Sequence, residues 1–226
     1  MILSDKQILT EYEAGNIVIH PFEMKYINPC SIDLTLNPEF KIYKEGILDV
    51  RQPNETESFT IPEEGYVLEP GDVYLYACNE RIGVKSNIRA KVEGKSSLGR
   101  LGLFVHVTAG FIDPGFEGSL VLELVATRPI RIYPNMKICQ IEFAYVDGNI
   151  IQTYDKKAGS KYMNQTGVQE SLMHMNFPMH PYTCDRGGNN CEVHKGGEGV
   201  LDGNGVCPCG HYKDPKFKNE NNTPKN

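Results

Sequence analysis

The sequence predicts an all-β fold, a distorted barrel or jelly roll preceded by one short helix. Three observations lead there. A succession of short runs rich in β-formers extends from "SIDLTL" at residue 31 to "KICQIEFAYV" ending at residue 146. The strings "NPE", "EPGD", "DPGFEG", "YPNM" and "VDGN" separate many of these runs, and their prolines, glycines and asparagines are turn formers. No window after residue 15 carries a long 3.6-residue apolar period, and there is no internal repeat.

The elements follow in order. "SDKQILTEYEAG" (4–15) reads as a helix: Ser4 or Asp5 can cap it, Ile8, Leu9 and Tyr12 share one face, and Gly15 ends it. Strands are then expected at "SIDLTL", "EFKIY", "GYVLEP", "VYLYAC", "IRAKVEG", "LFVHVTA", "SLVLELVA", "IRIY" and "KICQIEFAYV". Short strands with regular turn signals favour a closed barrel or jelly roll. From about residue 153 the pattern changes. "TYDKKAGSKYMNQTGVQESLMHMNF" is polar and lacks alternation, so it reads either as a flexible tail or as a segment that closes over a site with Tyr154, Lys161 and Gln165. The expected organisation is a barrel domain over 1–152, a lid over 153–177 and a Cys/His/Gly-rich extension over 178–226.

Composition narrows the function. The chain has 226 residues, a formal charge of -6, 40% apolar and 23% charged residues, close to an ordinary globular domain. No apolar run is long enough for a membrane helix, and the first residues lack the apolar block of a signal peptide, so a cytoplasmic protein is expected. Mild acidity argues against a general nucleic-acid binder. Cys30, Cys78 and Cys139 are scattered and read as core residues.

Three places carry candidate chemistry. "EGKSSLGRLG" (93–102) combines flanking glycines, the hydroxyls of Ser96 and Ser97, and the cations of Lys95 and Arg100. Such a loop can hold phosphate oxygens, or it can be a polar turn between strands; its spacing is not that of a P-loop. Glu123 sits in "SLVLELV". With period two, Ser119, Val121, Glu123 and Val125 share one face and Leu120, Leu122 and Leu124 the other, so the strand is expected to be covered on both sides. A carboxylate there is a proton shuttle of movable pKa, or half of an ion pair with Arg100 or Arg89. Asp113 in "GFIDPGF" either bonds its own turn amides or is aimed at a ligand hydroxyl or water. Zinc deaminases need H-x-E and P-C-x-x-C; neither occurs, so deamination would have to proceed without metal at the base. No G-x-S-x-G elbow and no G-x-G-x-x-G motif is present.

"VEGKSSLGRLGLFVHVTAGFIDPGFEGSLVLELV", "NMKICQIEF" and "AGSKYMNQTG", with "ILSDKQI" and "PCSIDLTL" before them, resemble the dCTP deaminase branch of the trimeric dUTPase superfamily over residues 1–170. The resemblance implies a dUTPase-like barrel, homotrimers with interfacial active sites, dCTP and dUTP as nucleotides, and Mg2+ on the triphosphate. It implies that Glu123 is the general base and acid at cytosine C4. By the same resemblance Ser96 and Arg100 would orient water and glutamate, the Ala109 carbonyl would help hold the water, and Asp113 would lie near the sugar 3′-hydroxyl. Lys95, Ser96, Ser97, Leu98, Gly99, Arg100, Gln140, Tyr154, Lys161 and Gln165 would contact phosphates and nucleotide, and Val121, Leu122 and Glu123 the pyrimidine edge. Gly110, where deaminase-only members carry a bulkier histidine, resembles the bifunctional branch that takes dCTP to dUMP, ammonia and diphosphate. Asp113 would then also position water at the α-phosphate. The competing readings are a deaminase that stops at dUTP, one that acts on dCMP, and a non-catalytic regulatory trimer.

The extension departs from the family pattern. Cys184, Cys191, His194, Cys207, Cys209 and His211 fall within 28 residues. Their density suggests a structural Zn2+, while the missing C-x2-C pairs leave a disordered glycine-rich tail as the equal alternative.

Overall fold

The structure, a computed structural model, describes residues 1–106 and 108–177. The six zinc candidates of the extension lie outside the described residues. Helix α1 (Asp5–Glu13) begins at the first of the two predicted caps: the Ser4 hydroxyl accepts from the Gln7 N–H, and the Gln7 side chain accepts from the Ser4 N–H at 3.1 Å. Ile8 is its buried residue.

Among the described residues, twelve strands and a second, four-residue helix follow. They are β1 (Ile17–His20), β2 (Ile27–Asn28), β3 (Ser31–Tyr43), β4 (Thr56–Thr60), β5 (Tyr66–Leu68), β6 (Tyr74–Val84), β7 (Ile88–Gly94), helix α2 (Ser96–Gly99), β8 (Leu103–Val105), β9 (Phe111–Ile112), β10 (Glu117–Ala126), β11 (Ile130–Ile132) and β12 (Lys137–Tyr145). A ten-stranded sheet runs β8-β10-β6-β3-β12-β7-β9; β1 joins β6, and β2 and β4 join β3. Strands β5 and β11 make a separate ribbon. All these pairings are antiparallel.

The all-β prediction holds, and β3 explains how the sheet curls. It is long enough to pair with β12 through Ile32–Thr35 and with β6 from Leu36 onward, with a register shift between Leu36 and Phe40. The predicted turn "NPE" is that irregularity and does not reverse the chain. Pro38 has no N–H to give, so the ladder breaks there, while its carbonyl still accepts from Ile61. The side chains of Phe40, Tyr76 and Phe143 are fully buried in the core. The Phe40 ring stacks on Tyr76 at 4.8 Å between centroids and tilts against Tyr66 at 4.7 Å. Each of the two phenylalanine side chains contributes roughly 1.5–3 kcal/mol by leaving water.

Two expectations are corrected. Cys78 and Cys139 are core residues with sulfurs 3.9 Å apart, but Cys30 is exposed. Strand β10 is not covered on both faces. Leu120, Leu122, Leu124 and Ala126 are buried, whereas Ser119, Val121, Glu123 and Val125 are half-buried. Among the described residues the buried glutamate is Glu80, 3% exposed, whose carboxylate accepts from the Thr35 N–H at 2.9 Å and the Thr35 hydroxyl at 2.7 Å. Burial pushes its carboxyl above the ordinary value, against the pull of the Thr35 hydrogen bonds.

The described chain divides into two units. The first, residues 1–48 and 54–171, contains every strand and helix named above. The second includes 49–53 and 172–177, where the Arg51 guanidinium lies 5.5 Å from the Phe177 ring centroid.

Candidate active site

A cavity of about 440 Å³ opens beside the half-buried face of β10. Val121 and Glu123 line it from β10, His106, Ala109 and Asp113 from the preceding loop, and Tyr154 and Gln165 from the returning chain. Apolar walls come from Leu75, Phe111 and Phe116 among others. A cleft with apolar walls and a few convergent polar groups is the usual form of a small-molecule site.

The Asp113-Pro-Gly turn fixes the rim. It is closed by the Phe116 N–H donating to the Asp113 carbonyl at 3.1 Å, and Tyr154 N–H donates to the Pro114 carbonyl at 2.8 Å. Gly115 is needed here: its φ is +92°, and a Cβ would lie 2.8 Å from the Thr153 Cβ. The Asp113 carboxylate itself makes no hydrogen bond or ion pair among the described residues. Of its two readings, bonding to turn amides is absent among the described residues, and the group lines the cavity.

Farther along, Gln165 lies against β10. Its carbonyl accepts from the Ser119 N–H at 2.9 Å, and its side-chain amide donates to the Ser119 carbonyl at 2.6 Å. The side-chain oxygen of Gln165 is buried without a partner. The Tyr154 ring meets Phe116 edge-on at 5.7 Å. Lys161 lies in a smaller groove with Tyr154, Lys157 and Tyr162.

Glu123 is paired, but with neither predicted arginine. His106 Nδ1 lies 2.7 Å from its Oε2, and Arg89 instead meets Glu142 at 3.5 Å. The contact becomes an ion pair when the imidazole is protonated, and it lacks the alignment of a hydrogen bond. The opposite ring nitrogen, Nε2, is 2.8 Å from the Ala109 carbonyl. One histidine thus bridges Glu123 and the Ala109 carbonyl. Strand β8 stops at Val105, and His106 adopts a φ of 54° while its N–H donates to the Glu123 carbonyl at 2.9 Å. Sequence reading missed it. The available signal was a single titratable residue inside the apolar run "LFVHVTA".

Burial opposes charge on His106, but Glu123 and the Ala109 carbonyl outweigh it and hold the imidazole above its ordinary value of 6.5. A raised folded-state value means that this stabilisation is complete below 6.5 and is lost as pH rises through the folded-state value. Thermal melts across that range should show falling stability in the natural chain. The corresponding slope should be missing in His106→Asn, and an identical slope there would remove the assignment.

Gly110 has a steric reason as well. A Cβ at this position would sit 2.8 Å from the Val92 carbonyl oxygen, and the Gly110 carbonyl accepts from the Val92 N–H at 2.9 Å. A histidine here requires the loop carrying Ala109 to take another path.

The phosphate-type loop forms a separate cluster. Lys95 precedes α2, Leu98 anchors the helix in the core, and Ser96, Ser97, Gly99 and Arg100 are exposed. Among the described residues the side chains of Ser96, Ser97 and Arg100 have no hydrogen bond or ion pair. None of residues 95–100, nor Gln140, lines the Glu123 cavity. Leu122 points into the core, so only its backbone can serve the site. No group of three or more metal-ligating side chains occurs among the described residues. No described helix is long and apolar enough to cross a membrane.

The family model for dCTP deaminase-like proteins matches residues 2–146. The chain belongs to that family. The family region contains Glu123, Asp113 and α2 and leaves 147–226 outside it. Curated relatives agree. The chain is 49% identical over 177 residues to a "dCTP deaminase, dUMP-forming" of Clostridium botulinum strain Alaska E43, covering 78% of this chain and 99% of the relative. A protein of the same name from Leptospira biflexa is 42% identical over 177 residues, covering 78% and 98%. Among solved structures, the 2′-deoxycytidine 5′-triphosphate deaminase of Agrobacterium tumefaciens matches with a TM-score of 0.53 at 24% identity, over 64% of this chain and 48% of that one. That likeness supports the barrel-type fold.

Proposed function

We propose that this chain hydrolyses dCTP to dUMP, ammonia and diphosphate in two steps at one site. The observation that carries the reading is the pair of carboxylates on one cavity, Glu123 held by an imidazole and Asp113 without a partner among the described residues. Two unlike carboxylates suit two unlike hydrolyses. The "dUMP-forming" name of relatives up to 49% identical supports the same product.

In the first step Glu123 takes a proton from water as the oxygen adds to cytosine C4. It passes that proton to N3, then moves the proton of the new C4 hydroxyl to the amino group, so that the C4–N bond breaks, ammonia leaves and the C4 carbonyl forms. His106 keeps the carboxylate oriented until substrate and water take its place. In the second step water oriented by Asp113 attacks the α-phosphorus, and the bond to the bridging oxygen of the diphosphate breaks. Mg2+ enters with the triphosphate as part of the substrate. Tyr154, Lys161 and Gln165 belong to a lid over the nucleotide.

The phosphate-type loop does not line the cavity of its own chain, so in this reading the site is completed by a second copy. α2 of one subunit faces the Glu123 cavity of the next in a cytoplasmic homotrimer. The test is product analysis with dCTP, dUTP and dCMP in the presence of Mg2+. The expected result is dUMP from dCTP without accumulation of dUTP, with Asp113→Asn releasing dUTP instead. dUTP as the end product of the natural chain would overturn the two-step reading, and no turnover of any nucleotide would favour the regulatory trimer.

A further inference from the structure

Outside the cavity, the Asp33 side chain on β3 holds three partners at once. Its side chain is 4% exposed, yet it carries two cations. Lys95 Nζ and Asn28 Nδ2 donate to Oδ1, and Lys137 Nζ donates to Oδ2 at 2.9 Å. The register explains the meeting. Gln140 of β12 faces Asp33, Lys137 faces Thr35, and Lys95 follows directly on β7, the strand on the other side of β12. Lys137 is further held over the Tyr26 ring, 5.0 Å from its centroid.

Two ammonium groups on one carboxylate leave an uncompensated positive charge where α2 begins. A buried ion pair is a weak source of stability, because desolvation offsets the attraction. Its effect is positional: a half-exposed lysine that would sample many rotamers is fixed beside Lys95. Fixing a cation in advance removes the ordering cost that a mobile lysine would incur on binding an anion.

We propose that Lys137 is a triphosphate-binding cation alongside Lys95, and that Asp33 is the positioning residue that sets both ammonium groups. This rests on the nucleotide reading given above. The group recognised is the β,γ end of a nucleoside triphosphate, because the cluster lies at α2 and not in the cavity assigned to the base.

The test uses the full-length chain and Lys137→Ala, a half-exposed position whose loss leaves the core intact. The KM for dCTP is expected to rise about tenfold while kcat stays within about twofold. Calorimetric affinity for inorganic tripolyphosphate should fall by a similar factor, and inhibition by deoxycytidine, which has no phosphate, should not change. Asp33→Asn should reproduce this pattern, with the circular dichroism spectrum unchanged. An unaltered KM and tripolyphosphate affinity in Lys137→Ala overturns the inference, as does failure of the natural chain to bind tripolyphosphate. If the natural chain binds tripolyphosphate through Lys137 but turns over no dCTP, the cation site stands and the proposed reaction falls.

Discussion

Glu123→Gln is expected to bind dCTP normally and to lose deamination, with ammonia release falling by roughly 10²- to 10⁴-fold. The amide keeps the size of the side chain and one acceptor oxygen, so the half-buried face of β10 keeps its shape. It cannot take a proton from water or return one to N3. Equilibrium dialysis with dCTP and an ammonia assay read the two properties separately. The variant also removes the charge opposite His106, so the imidazole loses the 2.7 Å contact that favours its protonation. A second consequence follows: the pH-dependent stability assigned to His106 should weaken in the same protein. Deamination near the natural rate would show that another group is the base.

The next largest effect is a gain of activity. Arg100→Ala and Glu123→Gln should each be inactive alone, and mixing them under conditions that allow subunit exchange should restore about a quarter of natural activity. The reason lies in the layout of a single chain. Arg100 is exposed and without an ion pair among the described residues, and Glu123 opens into a cavity that α2 does not line. In a shared site, a random mixture pairs an intact α2 with an intact Glu123 in about one site of four. No recovery after verified exchange would mean that both residues serve the same chain.

The sequence exposed most of the fold because its signals are local. Ser4 and Gln7 three residues apart form a capping box, and turn strings such as "DPGF" specify backbone geometry within four residues. Alternation along β10 correctly separated the leucine face from the Glu123 face. It misjudged the cover on that second face, since alternation reports which residues share a side and not what lies opposite. For the same reason the sequence drew attention to Glu123 as the buried glutamate, whereas Glu80 is the one enclosed, held by Thr35 from a neighbouring strand.

The partners of the functional groups were the least legible. His106 reaches Glu123 because β8 pairs with the far half of β10, and Lys137 reaches Asp33 because β12 pairs with β3 across a register shift. Both pairings join segments distant in sequence, and a one-residue slip would move the side chains to the opposite face. By itself, then, the sequence determined the element types, the turns, the family motifs and the identity of Glu123, Asp113 and the 95–100 loop as candidates. Only the tertiary structure decided which of them meet: Glu123 with His106 and Ala109, Asp113 at the same cavity, and Lys95 with Lys137 on one buried aspartate. Local propensity is set by neighbours along the chain, whereas proton and charge partners are set by strand register, which only the folded sheet fixes.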